Sequence, residues 1–219
     1  MNDYFLHRFS MNNTEHTLSS LLSFLHFAEK LKCELRHSYT STGRRESVAE
    51  HTWRMALMAI LLEPYLNQKI DIGKTLKMIL IHDLVEAEAG DVPIPYMVNN
   101  TALKKAKEEK EKAAIENIRS MLNDDVGKEI HSLWYEFESR ETYEAKVAYA
   151  LDKLEVQIQH NEADIATWEP IEYELIYSRR PFTQFDTTLD QLRLLVEQEA
   201  EDKLRAAGID VAAIKGKHR

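Results

Sequence analysis

The segment IHDLVEAEAGDVP (Ile81–Pro93) sets a histidine beside an aspartate, with a second carboxylate, Glu86, three residues further on. Met78, Ile79, Leu80, Ile81, Leu84 and Val85 surround these polar groups, so the spacing predicts a helix from about Gly73 to Glu88. That helix is apolar nearly all round and should be central and buried. A buried carboxylate without a partner is costly, and a metal ion is an economical partner for imidazole and carboxylates together. Adjacent residues diverge by about 100° on a helix, so His82 and Asp83 can converge on an ion between them, with Glu86 toward the same side. A hydrogen-bonded core histidine with Asp83 as its partner accounts for an isolated pair as well.

Two other polar residues raise the same question. Ser47 and Glu50 form a capping box that opens a helix running to about Leu62, with Pro64 closing it. His51 lies one turn into that helix, on a stripe with Met55, Met58 and Leu62, and is inward-facing. Asp152 sits beside Leu151 and Leu154 on a helix predicted from Thr142 to about Asp164, either buried or at a boundary. Taken singly, His51 reads more readily as a satisfied core histidine than as a ligand.

The elements that must position these groups are all helical. Leu18, Leu21, Leu22, Leu25, Ala28 and Leu31 predict an amphipathic helix from about residue 15 to Leu35. A polar loop is expected from His37 to Glu46. A highly charged helix follows from Ala102 to Leu122, its KKAKEEKEK run read as a solvated face. Further helices are expected over Asp125–Phe137 and from near Asp186 to before Gly208, with an irregular stretch, Trp168–Phe185, between breakers. No segment alternates long enough for a strand. The expectation is a single-domain, all-α bundle of about six to eight helices: an arm over 1–14, a core over 15–165, and a C-terminal part over 166–219 ending in a basic tail, Lys215–Arg219.

Bulk properties narrow the function classes. With 219 residues and a formal net charge of −9, the chain has no general nucleic-acid-binding character. Cys33 is its one cysteine, which excludes an intramolecular disulfide and a thiolate metal site and reads as a buried small hydrophobe. No basic-then-apolar leader opens the chain and no apolar run approaches a membrane span, so a cytoplasmic protein without a membrane partner is expected.

Taken together, a histidine, a later His-Asp pair and a later helical aspartate resemble the HD-domain superfamily of metal-dependent phosphohydrolases. The likeness covers roughly residues 20–165 and is strongest to the bacterial 5′-deoxynucleotidases and their eukaryotic relatives. It is carried by RRESVAEH (Arg44–His51), IHDLVEAEAGDVP (Ile81–Pro93) and EAKVAYALDKLE (Glu144–Glu155). The resemblance implies one divalent ion held by His51, His82, Asp83 and Asp152. Mn²⁺, Fe²⁺, Co²⁺, Ni²⁺, Mg²⁺ and Zn²⁺ all suit such a nitrogen–oxygen set. It also implies that Glu86 and Asp91 assist proton transfer and substrate binding, and that the protein is a homodimer.

On the same ground Arg36, fifteen residues before His51, is expected to bind substrate. Arg44 or Arg45 could add a second guanidinium, although Arg45 and Glu46 also read as a solvent-exposed pair. His37 stands where the bacterial relatives carry tryptophan, leaving His37 or another aromatic such as Tyr39 to meet the nucleoside. The expected activity is release of phosphate from (deoxy)ribonucleoside 5′-monophosphates. An alarmone-type pyrophosphohydrolase and a non-catalytic module binding metal and nucleotide are the alternatives.

Overall fold

The computed structural model describes residues 3–98, 100–122 and 124–216. Helix α1 (Asp3–Ala28) and the short α2 (Lys30–Cys33) lead into strands β1 (Leu35–Tyr39) and β2 (Arg45–Ser47). Then follow α3 (Val48–Leu62), α4 (Ile72–His82), α5 (Glu86–Ala89), α6 (Ile94–Met97), α7 (Thr101–Met121), α8 (Asp124–Ser139) and α9 (Tyr143–Glu162). The chain closes with α10 (Pro170–Leu175), α11 (Arg180–Thr183), α12 (Thr187–Ala206) and α13 (Val211–Gly216). The class is all-α, as expected. The helix count exceeds the expected range because stretches read as irregular contain short helical turns.

Local chemistry accounts for most helix starts. Ser47 Oγ accepts from Glu50 N while Glu50 Oε2 accepts from Ser47 N, the capping box expected from sequence. Asp71, Thr142 and Asp186 accept similarly at the starts of α4, α9 and α12. The main core joins Met55 and Ala59 of α3, Met78 and Ile79 of α4, Phe137 of α8, and Leu151 and Leu154 of α9. A second cluster centres on Ile115, Ile118 and Trp134, and a third unites Trp168, Ile176, Leu204 and Ile214.

Several expectations are corrected. Helix α1 starts at Asp3, ahead of the start expected near residue 15. The expected stripe is only partly the buried face: Leu18, Leu22 and Leu25 are exposed, while Ala28 and Leu31 of the stripe pack inward beside Phe24 and Phe27. Cys33 is exposed. The expected loop is an antiparallel hairpin with Leu35 opposite Ser47 and Tyr39 opposite Arg45. Arg45 stitches it together by donating to the carbonyls of Arg36 at 2.6 Å and Leu35 at 2.7 Å, and therefore does not form a surface pair with Glu46. Within the basic tail, Lys215 pairs with Glu201 at 2.6 Å, and residues 217–219 lie outside the described residues.

The informative helix also departs from expectation. Helix α4 ends at His82, and Leu84, Glu86, Ala87 and Glu88 donate to carbonyls three residues back. Leu80 is exposed, so α4 has a bare side rather than burial all round. No helix among the described residues is long and apolar enough to cross a membrane.

Candidate metal centre and active site

Three helices bring four side chains together. His51 comes from the second turn of α3, His82 from the last residue of α4, and Asp152 from the middle of α9. Asp83 follows α4 with φ −94° and ψ 7°, the bridge region in which many active-site residues sit. The resulting break turns its carboxylate toward the two imidazoles. Asp83 Oδ2 lies 3.1 Å from His82 Nε2 and 3.8 Å from His51 Nε2, and Asp152 Oδ1 lies 3.3 Å from His51 Nε2.

The hydrogen bonding of the rings suits a metal ion. His82 Nδ1 lies 2.7 Å from the carbonyl oxygen of Ile79, which can only accept, so Nδ1 carries the proton and Nε2 a lone pair. His51 Nδ1 is bonded to Glu155, fully buried and held below the usual carboxylate range. Burial works against that ionisation, but the His51 charge, its hydrogen bond and Arg54 outweigh it. Both Nε2 atoms are buried and without a hydrogen-bond partner. Orphaned buried nitrogens are costly, whereas two oriented Nε2 lone pairs beside two carboxylates are what a divalent cation requires. The local field favours positive charge as well. His51 is pushed up to about 9 although burial and Arg36 oppose this, because Glu155 and Asp152 prevail.

A second buried set, Glu46, His51 and Glu155, lies behind the first. There Glu46 is raised to about 7 by burial and by Glu155, and its carboxylate is 3.6 Å from Arg36 Nε. Arg36 supplies the positive charge of that second set, so it needs no ion.

His82, Asp83 and Asp152 line the floor of a cavity of about 450 Å³, and His51 is fully buried behind them. Glu86 enters from α5, 4% exposed, with Oε2 unpartnered and Lys107 Nζ 3.9 Å from Oε1. Burial first, then the charges of Asp83 and Asp91, push its pKa well above the ordinary value. Asp91 is also raised, chiefly by burial. It follows Gly90, whose φ of +75° and ψ of 153° only glycine adopts without strain. Arg36 reaches the cavity from β1, with Nη1 3.3 Å from Asp83 Oδ2.

The remaining expected substrate groups separate. His37 lines an adjoining smaller cavity with Pro93, Val156, Gln157 and His160, its Nε2 3.4 Å from Glu172 Oε1. Arg44 lines neither cavity. It is 59% exposed and bonds Glu50 at 2.6 Å, because the hairpin turn carries it to the outer side of α3. Tyr39 also lies outside both.

Sequence reasoning missed four contributors. Glu155 had a signal, a carboxylate beside Leu154 one turn after Asp152. Lys107 was hidden in the charge run taken as solvated, and Lys153 stands 2.7 Å from Asp152 Oδ2. Arg179, in the stretch read as irregular, lines both cavities.

Comparison with known proteins agrees with this fold. The 5′-deoxynucleotidase HDDC2 of Xenopus laevis is 36% identical over 142 residues, 64% of this chain and 67% of that protein. The human 5′-deoxynucleotidase HDDC2 is 31% identical over 157 residues, 71% of this chain and 74% of its own length. The crystal structure of a predicted metal-dependent phosphohydrolase from Magnetospirillum magnetotacticum MS-1 superposes with a TM-score of 0.74 at 31% identity. It covers 88% of this chain and 98% of that one. The family model described as HD domain matches residues 28–206, which takes in β1 through α12 and all four convergent side chains. The chain therefore belongs to the HD domain family.

Proposed function

We propose that this protein is a divalent-metal-dependent phosphohydrolase that releases phosphate from nucleoside 5′-monophosphates, the 2′-deoxy forms included. The observation that carries the reading is the pair of buried, partnerless Nε2 atoms of His51 and His82, facing Asp83 and Asp152 below a cavity that Arg36 and Lys107 also line. The names of the vertebrate relatives support the substrate class.

His51, His82, Asp83 and Asp152 would hold the ion, which when bound polarises the phosphoryl group and acidifies a water. Arg36 and Lys107 offset the phosphate charge. Glu86, buried beside the floor, accepts the proton of the attacking water. Asp91 borders both cavities, where the bridging ester oxygen would lie if phosphate fills the larger and nucleoside the smaller. That position suits a carboxyl that, when protonated, donates to the leaving 5′-oxygen as the P–O bond breaks. The smaller cavity offers the nucleoside apolar walls of Val92, Pro93, Pro95 and Val156, with His37 and Gln157 as polar edges.

The reading extends to a cytoplasmic homodimer. Trp53, Leu57, Ile60 and Leu61 form an exposed helical stripe on α3, and Leu80 is exposed on α4, which packs beside it. An apolar face of this kind marks an association surface. The test of activity is phosphate release from a panel of nucleoside 5′-monophosphates, comparing metal-free protein with Mn²⁺, Co²⁺ and Mg²⁺. Asp83→Ala should abolish metal-dependent release. No release by folded, metal-loaded wild type would overturn the nucleotidase reading.

A further inference from the structure

Five cationic side chains line the larger cavity, and four have evident compensation. Arg36 faces Asp83 and Glu46, Lys107 bonds Glu111 at 2.5 Å, Lys153 bonds Asp152, and Lys104 is exposed to solvent. Arg179 is different. Only 9% of it is exposed, and no carboxylate among the described residues comes within ion-pair distance. It sits between the 3₁₀ turn Ile176–Ser178 and α11, where Pro181 restarts the helix.

Neutral groups hold it in place. Nε donates to the carbonyl of Lys153 at 2.9 Å and Nη1 donates to that of Leu175. The first carbonyl belongs to the residue after Asp152, so the guanidinium is tied to the helix that carries the cavity floor. Nη2 makes no hydrogen bond among the described residues. Burial lowers the Arg179 pKa to about 10, and Glu197, Asp152 and Glu172 offset this only in part. A buried cation without a counter-ion is unfavourable, and an oriented guanidinium with free N–H groups matches a phosphate oxygen pair. We infer that Arg179 is a substrate-binding residue whose anionic partner is the phosphate of the substrate itself, delivered into the cavity by the segment between α10 and α11. The inference rests on the phosphohydrolase reading for the identity of the site.

The test uses the full-length, Mn²⁺-loaded protein and inorganic phosphate as the probe, read by calorimetry and by the phosphate-induced rise in Tm. Arg179→Met should weaken phosphate binding by about 10- to 100-fold, the range of a lost charge-assisted pair, and lose the phosphate-dependent Tm shift. Mn²⁺ affinity should be unchanged. Arg179→Lys should recover part of the affinity, since it restores charge without the planar fork. Phosphate bound equally by wild type and a folded Arg179→Met would overturn the proposal. So would failure of Mn²⁺-loaded wild type to bind phosphate at all. Weakened phosphate binding in the variant, together with no hydrolysis of any nucleotide by wild type, would uphold Arg179 and refute the nucleotidase reading alone.

Discussion

Replacing Glu155 by Gln should damage the metal centre without touching a ligand. Glu155 is fully buried and accepts at two points: Oε2 from His51 Nδ1 and Oε1 from Arg54 Nε at 2.6 Å. A glutamine keeps one acceptor oxygen and turns an NH₂ toward the other donor. If that NH₂ faces His51, the ring must release its Nδ1 proton, and the tautomer that results carries the proton on Nε2, where an ion needs a lone pair. If it faces Arg54, two donors are opposed in a buried space. Loss of such an outer partner costs about 10- to 100-fold in metal affinity, or about 1.4–2.8 kcal/mol. The stability cost should stay near 1–3 kcal/mol, because Arg54 is 19% exposed and keeps Gln159 and Glu162 as partners. Mn²⁺ titration followed by electron paramagnetic resonance gives the affinity, and urea unfolding in chelator gives the stability of the metal-free protein. A folded Glu155→Gln protein that binds Mn²⁺ within about twofold of wild type would refute the argument that Glu155 sets the His51 tautomer.

Asp186 caps α12, accepting from the N–H groups of Asn67, Thr188 and Leu189 and from the Tyr143 hydroxyl. Burial would raise its pKa, but the Tyr143 and backbone hydrogen bonds hold it below the ordinary value. Its contribution is therefore complete above the unfolded aspartate value of about 3.9 and lost as pH falls through the folded one. Asp186→Ala should cost about 2 kcal/mol at pH 7, with urea midpoints of variant and wild type converging as pH falls below about 4. Gly90→Ala should lower stability by about 1–3 kcal/mol from backbone strain, since the nearest atom to an added Cβ is an unobstructive 3.7 Å away. It should also reduce turnover by displacing Asp91, and a wild-type Tm with full activity would contradict this. Ile60→Glu should convert a dimer to a monomer in light scattering with helical content retained, whereas a monomeric wild type would remove the dimer reading.

The polar groups of the candidate metal centre were legible because they violate helical patterning. His51, His82, Asp83 and Asp152 each interrupt or adjoin an apolar stripe, and a charge among leucines is visible without coordinates. Capping boxes and breakers are equally local, which is why α3, α7, α9 and α12 lie close to their expected bounds. Which cations face the cavity is not a local property. Arg44 and Arg36 are both basic residues ahead of His51, yet a hairpin with five residues on one strand and three on the other sends one to α3's outer side and the other to Asp83. Lys107 looks like its neighbours in KKAKEEKEK until α7 is laid against α5. Arg179 reaches the cavity only when the segment after α10 folds back over α9. The break after His82 depends on packing as well, because three-residue hydrogen bonds have poorer geometry than four-residue ones and surrounding contacts must favour them. Helical periodicity and buried polarity are written in nearest neighbours along the chain. The counter-ions and the direction of each guanidinium are set by which helices meet, and that belongs to the tertiary structure.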